Sequence, residues 1–249
     1  MRIAALYDIH GNLPALQAVL TEIGTLGADL LLVGGDVVPG PMPAQCLDLL
    51  DGYELPKRWI RGNGDADTVA AAKGVLPSRV PPAFHDTMRW VAERLGPALL
   101  QRIDEWPLTT TLDMEGLGQV LFCHATPRDD NEIFTESTDA NRLEPVVTAP
   151  GADVVICGHT HMPFDRVVGA VRVVNAGSVG MPFGDTRAQW SLLDATGIDA
   201  RRTGYDITAA AAQIAESGYP FPMDLAHPPS AAAMRASFEA VALSQRTME

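Results

Sequence analysis

Short apolar runs alternate with helical patterns over the first part of the chain. Residues 2–7 have the length and composition of a buried strand, and two further strands are expected at residues 30–33 and 57–60. After the first run, leucine and isoleucine recur at helical spacing from Leu13 to Ile23, and Asn12 is suited to cap this helix. The alternation predicts strand–helix units in which the strands run parallel.

The second half of the chain is richer in strands and has turn signals between them. A further apolar strand is expected at residues 153–156, and hairpins are expected within residues 109–123, 165–174 and 189–203. Residues 66–106 show helical patterns that we interpret as mostly structural. Strands alternating with helices, followed by hairpins, predict an α/β fold with two mixed β-sheets packed as a sandwich and flanked by helices.

The composition changes near Tyr219. The prolines that follow form a stiff connector: Pro220, Pro222, Pro228 and Pro229. Beyond them, Met234, Phe238 and Val241 give one apolar stripe on a final helix. We expect residues 1–205 to form the main domain and residues 206–249 to be a connector and a helix that pack on it. A subunit contact in a homo-oligomer is the alternative for this helix.

The charge balance and the cysteines limit the classes of function. The 249 residues carry a formal net charge of -13, which argues against stable nucleic-acid binding through a basic face. Cys46, Cys123 and Cys157 lack the spacing of a disulfide framework, as is typical of the reducing cytoplasm. The chain has no apolar run as long as a membrane span and no signal-peptide pattern at its start. These features predict a cytoplasmic protein without membrane contact.

Polar residues follow the predicted strands. His159 and His161 come after the strand at 153–156, and their spacing directs both side chains to one side of an extended chain. Asp8 and His10 have the same spacing after the first strand. Single polar residues follow other strands: Asp36, Asn63 and His124. Because open α/β sheets place their sites beyond the carboxyl ends of strands, and imidazole is the commonest metal ligand, this pattern predicts a metal site. Taken alone, Asp8 would equally fit a turn or a helix cap.

These residues form five motifs in chain order. They are Asp8-Ile9-His10, Gly35-Asp36, Gly62-Asn63-Gly64-Asp65, His124 after a strand, and Gly158-His159-Thr160-His161. The set resembles the calcineurin-like metallophosphoesterases, and in particular their small prokaryotic members of the phosphodiesterase type. The turn Asn175-Ala176-Gly177-Ser178 extends the resemblance. It implies the αββα fold of that family, with the catalytic domain in residues 1–205.

The resemblance implies a site with two divalent ions. One ion would be held by Asp8, His10, Asp36 and His161. The other would be held by Asn63, His124 and His159, with Asp36 bridging both. Two such ions, about 3.5–4 Å apart, clamp a phosphoryl oxygen and generate hydroxide near neutral pH. The bridging hydroxide is expected to attack phosphorus, and Asp36, Asn63 and His124 are the expected catalytic ligands. Manganese is the expected metal, while mixed nitrogen and oxygen ligands leave iron, zinc, nickel and cobalt open.

The chain departs from many members of that family at Gly64, where they have a histidine that serves the leaving group or the phosphate. Asp65 or Arg128 could take over that role, since an arginine fork binds phosphate in two places. Arg128 could equally be an exposed loop arginine. Ser178 could touch the substrate or only shape its turn.

The expected function is metal-dependent hydrolysis of a small phosphate ester. Diesters are favoured because small prokaryotic members often lack the histidine and resemble phosphodiesterases. A phosphomonoesterase, including a protein phosphatase, is the first alternative. An interaction scaffold that has lost its metals is the second, but it predicts degenerate ligands, whereas all seven are present here.

Overall fold

The computed structural model describes residues 1–77 and 80–244, which contain ten strands. The strands are β1 (Ile3–Leu6), β2 (Leu30–Val33), β3 (Lys57–Trp59), β4 (Thr109–Met114), β5 (Gly118–Cys123), β6 (Val154–Cys157), β7 (Phe164–Val168), β8 (Val171–Asn175), β9 (Ala188–Asp194) and β10 (Gly197–Thr203). They form two five-stranded sheets, with the orders β10-β9-β1-β2-β3 and β4-β5-β6-β8-β7. In the first sheet, β1, β2 and β3 pair in parallel up to one edge, and β9 and β10 add antiparallel pairs on the other side. In the second sheet, β5, β6 and β8 form a parallel centre, and β4 and β7 pair antiparallel at the two edges.

Helices cover the outer faces of both sheets. The helices are α1 (Leu13–Leu26), α2 (Pro43–Gly52), α3 (Asn63–Ala72), α4 (His85–Asp104), α5 (Ala140–Thr148), α6 (Ile207–Glu216) and α7 (Ala231–Glu239), and a short 3-10 helix spans Pro82–Phe84. Apolar side chains of α1, α2 and α4 pack on the first sheet, and those of α5 pack on the second. The predicted α/β sandwich of two mixed sheets flanked by helices is therefore confirmed.

Strand β1 shows why the apolar runs are continuous rather than alternating. Ile3 and Ala5 lie in the core between the two sheets, whereas Ala4 and Leu6 lie in the core beneath the helices. All four residues are fully buried. A strand that is covered on both faces has no position for a polar side chain, so the first polar residue marks the end of the strand. This arrangement places the polar motifs at one edge of the sheets.

The predicted strand ends agree closely with the structure, and the first helix forms as expected. The Oδ1 atom of Asn12 accepts the backbone N–H of Ala15 at 3.2 Å and so caps α1. The helical stretch predicted for residues 66–106 is divided, because α3 ends at Ala72 and α4 begins at His85. Gly96 has a φ of 69°, which breaks the regular geometry inside α4.

The C-terminal helix contacts loops of the sheet domain. Glu239 on α7 accepts hydrogen bonds from the hydroxyls of Thr135 and Thr138, each at 2.7 Å. The backbone N–H of Leu243 donates to the carbonyl of Ile133 at 2.8 Å. The division of the chain at residue 205 stays a prediction, and residues 245–249 lie outside the described residues. Among the helices that the structure describes, none has the length and apolar character needed to cross a bilayer.

Gly34 allows the two sheets to approach each other, which yields a stability prediction. A Cβ atom on Gly34 would lie 2.1 Å from the ring of Tyr7, whose hydroxyl donates to the carbonyl of Ile156 in the facing sheet at 3.0 Å. Because the ring is held between the sheets, Gly34→Ala is expected to lower the free energy of unfolding by about 2 kcal/mol or more. Urea denaturation measures this change.

The matched control is Gly52→Ala at the end of α2, where an added Cβ would meet nothing within 4 Å. This variant should unfold close to the wild-type midpoint. Equal losses of stability in the Gly34 and Gly52 variants would contradict the assigned crowding.

Candidate metal centre

The seven candidate ligands follow strands whose carboxyl ends lie at one edge of the two sheets. Asp8 and His10 follow β1, Asp36 follows β2 and Asn63 begins α3 just after β3. The others follow strands of the second sheet: His124 after β5, and His159 and His161 after β6. The parallel arrangement within each sheet brings residues from distant parts of the chain to neighbouring positions.

One group of candidate ligands contains Asp8, His10 and His161, whose ligand atoms lie within 4.8 Å of one another. The Nε2 atom of His161 is 3.1 Å from Oδ1 of Asp8, and Nε2 of His10 is 3.7 Å from the same oxygen. The other Asp8 oxygen, Oδ2, accepts the backbone N–H of His159 at 2.8 Å. This contact leaves Oδ1 to face the imidazoles.

A second group contains Asp8, Asp36 and His124, again with ligand atoms within 4.8 Å. The Nε2 atom of His124 is 3.1 Å from Oδ1 of Asn63 and 3.7 Å from Oδ1 of Asp36. The other Asp36 oxygen, Oδ2, is 3.8 Å from Nε2 of His10. Asp8 belongs to both groups, because its Oδ1 is also 3.9 Å from Nε2 of His124. Asp36 belongs to the second group and faces His10 of the first, so both carboxylates lie close to ligand atoms of both groups.

His159 belongs to neither of these groups, although it lies beside them. Its ring centroid is 5.1 Å from that of His124. Its Nε2 atom lies 3.2 Å from the backbone carbonyl of Asn131. His159 therefore has only Nδ1 to offer to an ion, and its place in the second group stays a prediction.

Backbone carbonyls orient all four candidate histidines. Nδ1 of His10, His124 and His161 lies 3.0, 2.9 and 2.8 Å from the carbonyls of Pro39, Gly34 and Met181, and Nε2 of His159 faces Asn131. A carbonyl only accepts, so each of these nitrogens carries a hydrogen, and it is the other ring nitrogen that is available to bind a proton or a metal ion. The sequence pointed to none of these carbonyl residues, because every residue type has a backbone carbonyl.

The electrostatics of the centre favour a cation. The Nε2 atoms of His10 and His161 lie only 3.1 Å apart. Because both Nδ1 atoms donate to carbonyls, this close approach needs a proton or a metal ion between the two Nε2 atoms. Burial lowers the pKa of His10, but the carboxylates of Asp8 and Asp36 outweigh burial and raise it to about 9. The carboxylates that hold a proton on His10 would equally attract a divalent ion, and the imidazole and carboxylate donors fit a transition metal.

Five of the seven candidate ligands have backbones in the left-handed region. Their φ angles are 53° for Asp8, 47° for His10, 49° for Asp36, 65° for His159 and 56° for His161. Within residues 1–77 and 80–244, Leu243 is the only other non-glycine residue with a positive φ. Such conformations cost on the order of 1–3 kcal/mol each and persist only where surrounding contacts enforce them. Strain is therefore concentrated at the candidate ligands.

Two of the three candidate substrate residues form side-chain hydrogen bonds with backbone groups. Asp65 is fully buried, and its carboxylate accepts N–H groups of Val37, Val38 and Gly62 at 2.9, 3.1 and 3.1 Å. Ser178 is also fully buried, and its hydroxyl donates to the carbonyl of Asp8 at 2.8 Å. Asp65 therefore caps α3 and ties it to the loop after β2, and Ser178 holds the loop after β1. A contact of either residue with a substrate stays a prediction.

The third candidate, Arg128, forms an ion pair within its own loop. Its Nε and Nη2 atoms donate to the two carboxylate oxygens of Glu132 at 2.9 and 2.5 Å. The Glu132 side chain is fully buried, whereas that of Arg128 is 41% exposed. The pair orders the loop that also supplies the Asn131 carbonyl. A contact between Arg128 and a phosphate stays a prediction.

Gly64 has little space for a side chain. A Cβ atom there would lie 2.8 Å from Cγ of Pro39 and 3.0 Å from both carboxylate oxygens of Asp36. The backbone N–H of Gly64 donates to Oδ1 of Asp36 at 2.7 Å. A residue larger than glycine would therefore displace Pro39 or the carboxylate of Asp36.

Comparison with known proteins agrees with this geometry. Residues 1–197 match the model of the calcineurin-like phosphoesterase superfamily domain. The chain belongs to this superfamily. The phosphodiesterase YfcE of Escherichia coli K12 is 29% identical to this chain, over 78% of the chain and 88% of YfcE.

Solved structures lead to the same superfamily fold. The crystal structure of a metallophosphoesterase from Sphaerobacter thermophilus is 26% identical to this chain, with a TM-score of 0.69. The match covers 90% of this chain and 96% of the Sphaerobacter chain. The hypothetical protein PH1004 from Pyrococcus horikoshii OT3 shares the fold with a TM-score of 0.77 and 20% identity, over 92% of this chain and 99% of that one. The resemblance inferred from the motifs is therefore confirmed.

Backbone strain at the centre can be measured with two substitutions at His159. His159→Gly and His159→Ala both remove the imidazole, but at a φ of 65° the alanine is strained by about 1 kcal/mol or more. The glycine variant of the chelator-treated protein is therefore expected to unfold at the higher urea concentration.

The matched control is the same pair of substitutions at His85, which has a φ of -61°. There the order should reverse, because glycine in a helix costs roughly 0.5–1 kcal/mol relative to alanine. Finding the same order at both positions would contradict the strain assigned to His159.

Proposed function

We propose that this protein is a metal-dependent phosphodiesterase with two divalent ions in the centre described above. The proposal depends on one observation. The two carboxylate oxygens of Asp36 face different imidazoles, with Oδ2 3.8 Å from His10 Nε2 and Oδ1 3.7 Å from His124 Nε2. A carboxylate placed in this way is suited to bridge a pair of ions.

In this proposal, one ion is held by Asp8, His10, Asp36 and His161, and the other by Asp36, Asn63, His124 and His159. Two bound ions supply Lewis acidity to the phosphoryl group and activate water near neutral pH. Manganese is the metal we expect, although the donor set would also fit iron, zinc, nickel or cobalt.

Backbone groups around the site hold the candidate ligands in place. The N–H of Gly64, in the first turn of α3, fixes one oxygen of Asp36, and the amino end of a helix favours a negative charge there. The carbonyls of Gly34, Pro39, Met181 and Asn131 fix the imidazoles, so that the ligand nitrogens need no rearrangement when a substrate binds.

A diester is the substrate class that we favour. YfcE is a phosphodiesterase and shares 29% identity with this chain. Gly64 also leaves no histidine at the position where many related proteins would protonate a leaving group, and its surroundings leave no space for one. A substrate whose leaving group needs little protonation is therefore expected.

The test measures hydrolysis of bis-p-nitrophenyl phosphate with added Mn²⁺. Asp36→Asn and His124→Ala should each lower kcat by at least about 100-fold, because loss of a ligand should cost no less than loss of a group that orients one. Elemental analysis should find two ions per wild-type chain and fewer in the Asp36→Asn variant. The diester should also have a higher kcat/KM than p-nitrophenyl phosphate.

His227→Ala is the matched control, since the His227 side chain is 84% exposed and pairs with Asp224 away from the centre. This variant should retain wild-type turnover and metal content. Wild-type turnover that survives exhaustive chelation would overturn the proposed metal dependence.

A further inference from the structure

A cavity of about 300 Å³ adjoins the candidate metal centre. Three candidate ligands line one end of it: His10, Asp36 and Asn63. The rest of the lining includes Asp67, Thr68 and Thr87 but is mainly apolar, and the following residues form what we call the apolar wall: Phe84, Met88, Val91, Met181, Tyr219 and Phe221. A group that extends from a phosphate at the centre into this cavity would therefore leave polar surroundings and enter apolar ones.

Two separate segments build the apolar wall. Phe84 ends the 3-10 helix before α4, and Phe221 belongs to the proline-rich connector after α6. Their ring centroids are 5.1 Å apart, and those of Trp90 and Tyr219 are 5.3 Å apart. These ring contacts hold the connector against α4, so the C-terminal part of the chain forms one side of the cavity.

The wall is suited to a flat aromatic group. Phe84 is 38% exposed, which leaves part of an aromatic ring available for contact. Aromatic rings favour offset-stacked or edge-to-face contact with other rings, and this adds to the gain from burying apolar area. A dry apolar cavity of about 150 Å³ already accepts benzene. The cavity here, of about 300 Å³, has room for one ring system.

Building on the function proposed above, we propose that the substrate carries an aromatic ester group that binds in this cavity against Phe84 and Phe221. The phosphate then lies at the ligand end, beside His10, Asp36 and Asn63. In this proposal, the aromatic residues select the ester group that binds, whereas the candidate metal ligands provide the site of hydrolysis. Substrates with the same phosphate and different ester groups should differ mainly in KM.

The test compares phenylphosphonate with methylphosphonate, which present the same charged group and differ in the ring. Calorimetric titration of the manganese-loaded protein should give a dissociation constant at least about tenfold lower for phenylphosphonate, as expected for added apolar contact in a pocket. Phe84→Ala and Phe221→Ala should reduce this preference to less than about threefold and leave methylphosphonate binding unchanged. Phe84→Leu should restore only part of the preference, since it replaces the apolar volume without the flat ring.

The matched control is Met223→Ala, on the same connector. Met223 lines a neighbouring cavity and not this one, so its loss should leave the preference for phenylphosphonate intact. Equal affinity of the wild-type protein for both phosphonates, with diester hydrolysis unaffected, would overturn the aromatic site alone. Failure to bind either phosphonate or hydrolyse any diester would overturn the proposed function and this inference with it.

A second pair of small molecules tests whether the aromatic group of the substrate is a nucleobase. Adenosine 5′-monophosphate and ribose 5-phosphate share the sugar and phosphate and differ in the base. Tighter binding of the nucleotide, lost in the Phe84→Ala and Phe221→Ala variants, would assign the aromatic group to a nucleobase. Discrimination limited to the phosphonates would assign it to a simple aryl ester.

Discussion

Crowding of imidazole nitrogens and carboxylate oxygens is the constraint on which this site depends. Nε2 of His161 lies 3.1 Å from both Nε2 of His10 and Oδ1 of Asp8, and the carboxylate of Asp36 is beside them. Donor atoms at such distances repel unless a positive charge lies among them. The backbone carbonyls that orient the imidazoles and the left-handed backbone of the ligand residues both serve to maintain this crowding. A protein that did not bind cations would have little reason to keep it.

The two sheets supply the rigidity that this crowding requires. Most of the candidate ligands follow β1, β2, β5 and β6, whose apolar residues are packed between the sheets or under helices. A loop that begins at a buried strand cannot relax far, so strain of about 1–3 kcal/mol at each ligand can be maintained. The apolar cavity has a different origin. It lies between α3, α4 and the connector, so the proposed aromatic site and the candidate ligands come from different parts of the fold.

Polar residues close to a centre need not serve the substrate. Asp65 has the residue type and the position expected of a catalytic acid, yet its carboxylate accepts three backbone N–H groups and is fully buried. Burial and the charge of Asp36 raise the pKa of Asp65 to about 7, while these hydrogen bonds oppose the rise. Ser178 likewise holds the carbonyl of Asp8. Both residues act on the loops that position ligands, which is a role that a motif does not reveal.

The sequence by itself determined the sandwich, the strand ends and the identity of the candidate ligands. These are local properties, because a strand buried on both faces must be apolar until it ends, and the first polar residues after it form the motifs. Only the tertiary structure decided which ring nitrogen of each histidine faces the centre. It also decided that Asp65 and Ser178 are buried and hydrogen-bonded to backbone groups, and that Phe84 packs against Phe221. Each of these depends on a backbone carbonyl, an N–H group or a ring contributed by a distant segment. Such contacts are set by long-range packing, and they leave no periodicity or spacing in the chain.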